Sequence, residues 1–272
     1  MPRPTVSVVI PCYNDGPHLR EALTSVMVSD YRPIEVIIVN DGSTDSSTLE
    51  QLEMAAADGH TVVHQSNSGQ SSARNNGISI STGSYVLTLD ADNRVRPQYI
   101  GTAVRLLESD PAIGVVYGRL DQFGCGSGRG IGQPFDPQLL LFRNYIDTLA
   151  VFRKSVWESV GGYDNHLRGN EDWDFWLRAL GQGVGFHFIN EVMFDYRVKE
   201  VSVTTAINQS ENYKKFLTYF SQKHGSLYYQ GYCDVYTELM YARSNPMRYF
   251  VRQRWPELYS VLKRLMRFKL PV

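Results

Sequence analysis

The chain has 272 residues, of which 43% are hydrophobic and 20% are charged, and its formal net charge is −1. This is the composition of an ordinary globular protein, and a nearly neutral chain has no overall field that would attract nucleic acid. No apolar run approaches the ~18 residues of a membrane span, and the three distant cysteines include no Cys-x-x-Cys pair that would indicate zinc, so we expect a cytoplasmic protein.

Strand-like and helical patterns alternate over the first half of the chain. Short apolar runs predict four strands, at residues 5–10, 34–39, 61–64 and 85–89. Helical spacing of apolar residues predicts helices over residues 18–28, near residues 49–54, over residues 71–80 and after Pro97. Alternation of this kind is typical of an α/β domain with a largely parallel sheet, in which ligands bind outside the carboxyl ends of the strands.

The most informative pair of residues is Asp90 and Asp92, which directly follow the apolar strand pattern of residues 84–89. Burial and like-charge repulsion both oppose ionisation of such a pair, and a cation that prefers oxygen ligands, Mg²⁺ or Mn²⁺, would relieve both effects. Since these ions usually accompany substrate phosphates, the pair indicates a nucleotide-activated substrate. Two solvated turn aspartates are the ordinary alternative.

Other polar residues follow the first strands or lie beside them. Tyr13 and Asn14 come after the first strand, and Asp41 comes after the second, where its carboxylate could accept the N–H of a pyrimidine ring. Arg74 lies in a polar loop that leads into a helix, one helix before the diacid. A surface arginine is the ordinary interpretation of such a residue, and we favour a nucleotide contact because of its position.

A second acidic pair opens a helix later in the chain. Asn170 is the expected N-cap, which places Glu171 and Asp172 in the first turn, beside the positive end of the helix dipole. Such acids often merely complement the dipole, but a carboxylate that stays ionised there is also suited to act as a general base. Four apolar residues at helical spacing are expected to face the core: Trp173, Trp176, Leu177 and Leu180. The glycines at positions 161 and 162 suggest a close approach to a ligand.

The rest of the chain changes character. Residues 124–132 contain five glycines and are expected to be mobile or shaped by a ligand. The pattern becomes helical and aromatic from about residue 210, and from residue 241 onward there are eight Lys and Arg residues against one acid. This basic tail is either a helical extension packed on the domain or on a second subunit, or a peripheral membrane contact.

Six motifs in order and spacing resemble glycosyltransferase family 2, a family of inverting enzymes with the GT-A fold. The motifs are Val-Ser-Val-Val-Ile-Pro-Cys-Tyr-Asn at residues 6–14, Val-Asn-Asp-Gly-Ser-Thr-Asp at 39–45, Gly-x-x-x-Ala-Arg-Asn-x-Gly at 69–77, Asp-Ala-Asp at 90–92, Val-Gly-Gly-Tyr-Asp at 160–164 and Asn-Glu-Asp-Trp-Asp at 170–174. The resemblance extends from residue 6 to about residue 204.

The resemblance implies a role for each matching position. A nucleotide-diphosphate sugar, commonly UDP-linked, would be held by Pro11, Tyr13, Asn14, Asp41 and Arg74. Asp90 would contact the ribose or the metal shell, and Asp92 would bind the Mn²⁺ or Mg²⁺ that bridges the diphosphate. Asp172 would be the base that deprotonates the acceptor hydroxyl, with Glu171 as second choice. A glycan or lipid-linked acceptor of polysaccharide assembly would bind near residues 134–145 and the helical tail.

One position departs from the family pattern. Many relatives carry a histidine in an Arg-x-His segment near the diphosphate, whereas this chain has Arg197 followed two residues later by Lys199. A protonated lysine ligates a metal poorly but neutralises phosphate well. We therefore expect Lys199 or Arg197 to contact the diphosphate in place of that histidine.

Two other functions remain as alternatives. A nucleotidyltransferase would also use a strand-end diacid, but the loop after the first strand lacks the basic residue of a triphosphate site. A sugar-nucleotide-binding protein with degenerate chemistry would not need to keep Asp92 and Asp172. We divide the chain into a GT-A catalytic domain at residues 1–210, with a nucleotide-binding half to about residue 95 and an acceptor half from about 96, and a helical basic extension at 211–272. The sequence leaves a homo-oligomer open.

Overall fold

The structure is a computed structural model that describes residues 3–199, 211–257 and 259–260, with the backbone alone for residues 211–213. Its contacts divide the chain into two compact units, with the boundary between Gln222 and Lys223. The domain boundary expected at residue 210 falls outside the described residues, so the division at that point stays a prediction.

The first unit alternates strands and helices along most of its length. Its strands are β1 (Val6–Cys12), β2 (Ile34–Asp41), β3 (Thr61–Gln65), β4 (Tyr85–Thr88), β5 (Arg94–Val95), β6 (Ile113–Gly124), β7 (Val151–Arg153) and β8 (Gly185–Val198). The helices are α1 (Gly16–Met27), α2 (Ser46–Ala57), α3 (Gln70–Ile80), α4 (Tyr99–Ser109), α5 (Pro137–Phe142), α6 (Lys154–Val160), α7 (Glu171–Gly181) and α8 (Glu211–Lys223), followed in the second unit by α9 (Gly225–Ser244) and α10 (Pro246–Arg254). The four strands expected in the first half end within two residues of the observed ends.

All eight strands form one sheet in the order β3-β2-β1-β4-β7-β6-β8-β5. β3, β2, β1 and β4 are parallel, as the alternating pattern predicts. β7 is antiparallel to both β4 and β6, and β8 is parallel to β6. The predicted α/β class is confirmed. The sheet is mixed because β7 lies antiparallel between β4 and β6, and β5 is antiparallel to β8.

The central strands are apolar on both faces because helices cover both sides of the sheet. Val8, Val9 and Ile10 of β1 have no exposed surface. Gly77 of α3 packs so closely on β1 that an added Cβ would lie 2.4 Å from Cγ1 of Val9. On α1, Met27 lies outside the core and is 52% exposed.

The glycine-rich segment of residues 124–132 folds back on β6. Ile131 pairs with Leu120 in an isolated antiparallel bridge, and the backbone N–H of Gly130 donates to Oδ1 of Asp121 at 2.8 Å. Contacts with β6 therefore fix the conformation of this segment. The sequence interpretation had considered only a mobile segment or one shaped by a ligand.

In the second unit, the described residues form α9 and α10. Arg252 of α10 pairs with Glu238 of α9. One face of α9 carries large exposed side chains at helical spacing: Tyr229, Tyr232, Tyr236 and Leu239. Across the described part of the chain, no helix combines the length and the apolar character needed to cross a membrane. Residues 258 and 261–272 of the expected basic tail lie outside the described residues, among them Lys263, Arg264, Arg267, Phe268 and Lys269.

Candidate active site

Polar residues that follow three different strands meet at one edge of the sheet. Asp15 follows β1, Asp92 follows β4 and Lys199 follows β8. Nζ of Lys199 lies 2.8 Å from Oδ2 of Asp15 and 2.8 Å from Oδ2 of Asp92. The side chains at the carboxyl ends of these strands thus form a cluster, as expected. The cluster includes Asp15, which the sequence interpretation missed.

Asp41 occupies the end of β2 and is almost fully buried. Its Oδ1 accepts hydrogen bonds from Nε2 of Gln65 at 2.8 Å and from the backbone N–H of Ser68 at 2.7 Å, and its Oδ2 accepts from the backbone N–H of Gly69 at 2.8 Å. An ionised carboxylate has about four lone-pair positions, so three are engaged and one stays available. Asp41 thereby orders the loop that precedes α3.

The loop after β1 supplies the other residues predicted for the nucleotide. Asn14 has a left-handed backbone (φ 50°), and its Oδ1 accepts from the backbone N–H groups of Thr44 and Asp45 at 2.8 and 3.0 Å. Its side chain therefore fixes the loop after β2. Tyr13 is half exposed, whereas Pro11 is part of β1 and half-buried.

Arg74 lies beneath the site, 1% exposed, and not on its surface. Nη2 lies 2.7 Å from Oδ1 of Asp90, and Nη1 lies 2.5 Å from Oε1 of Glu171. Burial opposes the guanidinium charge, but the two carboxylates outweigh it and raise the pKa of Arg74. This corrects the expected direct nucleotide contact, because both terminal nitrogens already bind acids and the side chain is enclosed.

The buried arginine links the two acidic motifs of the sequence. Asp90 follows β4, and Glu171 begins α7, so one guanidinium joins the end of the strand to the helix. Burial raises the pKa of Asp90 and Arg74 works against that rise, with Asp92 adding a smaller increase. Oε2 of Glu171 is buried without a hydrogen-bond partner among the described residues. Glu171 is therefore the ion-pair partner of Arg74, which leaves Asp172 as the candidate base.

Lys199 and Arg197 were both considered for the diphosphate, but only Lys199 pairs with the strand-end carboxylates of Asp15 and Asp92. Nη2 of Arg197 pairs with Oε2 of Glu21 at 2.6 Å, and its Nε donates to the backbone carbonyl of Asp92 at 3.1 Å. The Lys199 side chain is 38% exposed. Burial opposes its charge, but hydrogen bonds to Asp15 and Asp92 outweigh that effect and raise its pKa.

The side chains expected to bind Mn²⁺ or Mg²⁺ do not fit a resident divalent ion. Asp90 is already paired with Arg74, and Asp92 is already paired with Lys199. The ammonium stands at the position where the family pattern would place a histidine. Within the described residues there is also no group of three or more His, Cys, Asp or Glu side chains that could hold a metal. The structure therefore places an ammonium beside Asp92.

Asp172 is the candidate base at the start of α7. Its Oδ2 accepts from Nδ2 of Asn144 at 3.0 Å, and its Oδ1 accepts from the backbone N–H of Trp173 at 2.8 Å. Burial and the adjacent Glu171 raise the pKa of Asp172 to about 7. The expectation that the helix dipole keeps this acid strongly ionised is therefore corrected, because desolvation outweighs the dipole. A pKa near neutrality suits a general base.

The packing of α7 holds Asp172 against the segment that follows α5. Nε1 of Trp173 donates to the carbonyl of Leu140 at 2.7 Å, and Nε1 of Trp176 donates to the carbonyl of Ile146 at 3.0 Å. Asn170 is at the N-cap, but its left-handed backbone (φ 56°) leaves its side chain without a capping hydrogen bond. Of the four predicted core residues, three are buried and Leu180 is partly exposed.

The double glycine before α7 approaches a side chain of α3 and not a ligand. A Cβ on Gly162 would lie 2.7 Å from Oδ1 of Asn75. That oxygen accepts from the backbone N–H of Tyr163 at 2.7 Å and from Nε1 of Trp157 at 3.0 Å. The expected ligand approach is thus corrected to a packing requirement that positions Tyr163, whose ring lies under the guanidinium of Arg74.

Asp147 is a further acid of the site that the sequence did not reveal. It precedes β7 and accepts the backbone N–H of Leu149 at 3.0 Å. Burial, followed by the charge of Asp90, raises its pKa to about 8, with a smaller contribution from Asp172. No motif marks this residue, and only the folding of residues 144–150 against β4 and α7 brings it to the other acids.

Replacing Asp147 with asparagine should flatten the pH dependence of stability. An unfolded aspartate loses its proton near pH 4, whereas folded Asp147 keeps its proton up to about pH 8, so folding takes up a proton between these values and stability falls as pH rises. The variant lacks this loss, which amounts to at most about 1.4 kcal/mol per pH unit. Urea unfolding at several pH values would measure it, and parallel curves for the two proteins would contradict the burial of this acid.

Comparisons with known proteins identify the family of this chain. Residues 7–161 match the family described as Glycosyl transferase family 2. An uncharacterized glycosyltransferase of Rickettsia typhi is 30% identical over 233 residues, which cover 81% of this chain and 72% of that protein. Another, from Bacillus subtilis, is 27% identical over 244 residues, which cover 81% of this chain and 84% of that protein.

Solved structures establish the fold independently. S. aureus TarS 1–349 in complex with UDP-GlcNAc matches with a TM-score of 0.64 at 18% identity, covering 74% of this chain and 61% of that chain. The complex of the same protein with UDP matches with a TM-score of 0.61. The family match spans more than half of this chain, and the TarS complex with UDP-GlcNAc matches 74% of it. The chain therefore belongs to glycosyltransferase family 2 and is a glycosyltransferase with the GT-A fold.

Proposed function

We propose that this glycosyltransferase moves a sugar from a uridine diphosphate sugar to a hydroxyl of a glycan or lipid-linked acceptor, with inversion at the anomeric carbon. The observation that carries the proposal is the chain of ion pairs from Asp90 through Arg74 to Glu171, which ties a strand-end carboxylate to the helix that bears Asp172. The UDP and UDP-GlcNAc complexes of the fold relative TarS support a nucleotide-sugar donor.

The donor is assigned to the edge formed by β1, β2 and β4. The free lone pair of Asp41 accepts the N–H of the uracil ring, and this selects a uracil over a cytosine, which presents an acceptor at that position. The half-exposed Tyr13, with Pro11 and Asn14, lines the base and ribose side. Asp90 accepts from the ribose hydroxyls through the oxygen that Arg74 does not bind, and Lys199 neutralises the diphosphate.

Asp172 is assigned the role of general base. The acceptor oxygen attacks the anomeric carbon while its proton passes to the Asp172 carboxylate. The bond from that carbon to the diphosphate oxygen breaks, and its electron pair leaves on UDP. Asn144 and the backbone N–H of Trp173 hold the carboxylate in place for this transfer. A single displacement of this kind inverts the configuration at the anomeric carbon.

A screen of UDP-linked sugars for nucleotide release tests the proposal. Water acts as a slow acceptor, so no glycan needs to be known in advance. At least one donor should release UDP, and release should rise when candidate acceptors are added. Release of UMP would instead favour nucleotidyl chemistry, and binding without any release would favour a degenerate binding protein.

The second unit is assigned to an anionic membrane surface that carries the acceptor. The face of α9 that carries Tyr229, Tyr232, Tyr236 and Leu239 is exposed. The neighbouring helix in sequence, α10, carries three arginines and no acidic residue. Exposed apolar side chains beside basic ones are typical of helices that lie in a membrane interface.

Removing residues 241–272 should abolish sedimentation with liposomes that contain anionic lipid, because both the arginines of α10 and the remaining basic tail are lost. The full chain should pellet with these liposomes, and less so as salt is raised. Neutral liposomes serve as the control. Equal pelleting of the two proteins would contradict a membrane role for this segment.

A further inference from the structure

We infer that the ammonium of Lys199 takes the place of the divalent cation in this enzyme, so that the diphosphate of the donor binds without a metal. The inference rests on the proposed function, since it concerns the diphosphate of the same donor. It goes beyond that function because it removes the need for a metal ion when the donor binds.

The geometry of the ammonium supports this role. Lys199 Nζ is held 2.8 Å from a carboxylate oxygen of Asp15 and 2.8 Å from one of Asp92, at the ends of β1 and β4. An ammonium has three N–H donors, so two are engaged and one is left for a phosphate oxygen. The side chain is 38% exposed, so the third donor is accessible from solvent.

The ammonium also competes with a metal for the same ligand. A magnesium ion binds carboxylate oxygens at about 2.1 Å and keeps near-ideal octahedral geometry. Oδ2 of Asp92 is already occupied by a cation, and a divalent ion on that oxygen would face a positive charge a few ångströms away. Oδ1 of Asp90 already pairs with Arg74, so the charge of Asp90 is partly neutralised and attracts a divalent ion less strongly.

The acids around the cluster are partly neutralised, which limits the repulsion of a diphosphate. Arg74 balances Asp90 or Glu171, and Lys199 balances Asp15 or Asp92. The other two acids of the site, Asp147 and Asp172, have pKa values raised to about 8 and about 7, so they carry reduced charge at neutral pH.

Calorimetric titration of UDP and of uridine, each in EDTA and in Mn²⁺, tests the inference. The wild type should bind UDP in EDTA, and Mn²⁺ should change its Kd by less than about threefold. Lys199→Ala should weaken UDP binding by about tenfold to a hundredfold, the effect of losing one hydrogen bond from a charged group, and leave uridine binding unchanged. Lys199→Arg should retain more UDP affinity than Lys199→Ala.

Lys214→Ala, which removes an exposed lysine of α8, is the matched control and should bind UDP as the wild type does. Unchanged uridine binding also reports that Lys199→Ala is folded. Two results would overturn this inference but not the proposed function. One is UDP binding that disappears in EDTA and returns with Mn²⁺, and the other is full UDP affinity in Lys199→Ala. Failure of the wild type to bind either uridine or UDP would overturn the proposed function and this inference with it.

Discussion

Replacing Asp172 with asparagine should lower the transfer rate by about a hundredfold to ten-thousandfold, the usual contribution of a general base. Asparagine keeps the shape of the side chain and its hydrogen bond to the backbone N–H of Trp173, but it cannot take up the proton of the acceptor. The measurement is the rate of UDP release from a donor found in the screen. UDP affinity should be unchanged, because Asp172 is assigned to the acceptor side.

Two comparisons make this result specific. Asp58→Asn removes an exposed carboxylate at the end of α2 and should leave the rate unchanged. Glu171→Gln should disturb the ion pair with Arg74 and so lower stability as well as activity. If Asp172→Asn kept more than about a tenth of the wild-type rate, Asp172 would not be the base.

Replacing Arg74 with methionine should lower the free energy of unfolding by about 3–5 kcal/mol, because the change leaves Glu171 buried without its cation. For a protein of this size the loss corresponds to a Tm lower by roughly 10 °C. Urea unfolding and a thermal scan measure both quantities. Activity should fall as well, since the link between β4 and α7 is broken.

A double variant separates the ion pair from the loss of side-chain packing. Adding Glu171→Gln to Arg74→Met removes the uncompensated buried charge and should restore part of the lost stability. Arg105→Ala, at an exposed arginine of α4, is the control and should stay within about 0.5 kcal/mol of the wild type. A single Arg74→Met variant as stable as the wild type would contradict the buried bridge.

The first half of the fold was predictable because its signals are local. Each parallel strand is a short apolar run that ends at a polar residue, so strand, helix and site edge can be read in order along the chain. The strands β5, β6 and β7 were not predicted. β5 and β7 have only two and three residues, and the place of β7 between β4 and β6 depends on contacts distant in sequence.

Sequence motifs predicted several residues of the candidate site but not the contacts between them. Asp41, Asp90, Asp92 and Asp172 belong to motifs, and motifs identify residue types at fixed spacings. Arg74 was expected to contact the nucleotide because the sequence places it one helix before the diacid. The sequence does not show that its side chain is buried. Asp15 and Asp147 lie outside the motifs, and only the tertiary structure brings them to Lys199 and to Asp90.

The most direct test of the central claim is the configuration of the sugar that the enzyme releases. Proton NMR of early hydrolysis of an α-linked UDP-sugar would follow the product before its anomers equilibrate. Attack by water activated by Asp172 predicts that the β anomer appears first, together with UDP. Early appearance of the α anomer would contradict the single displacement on which the account rests.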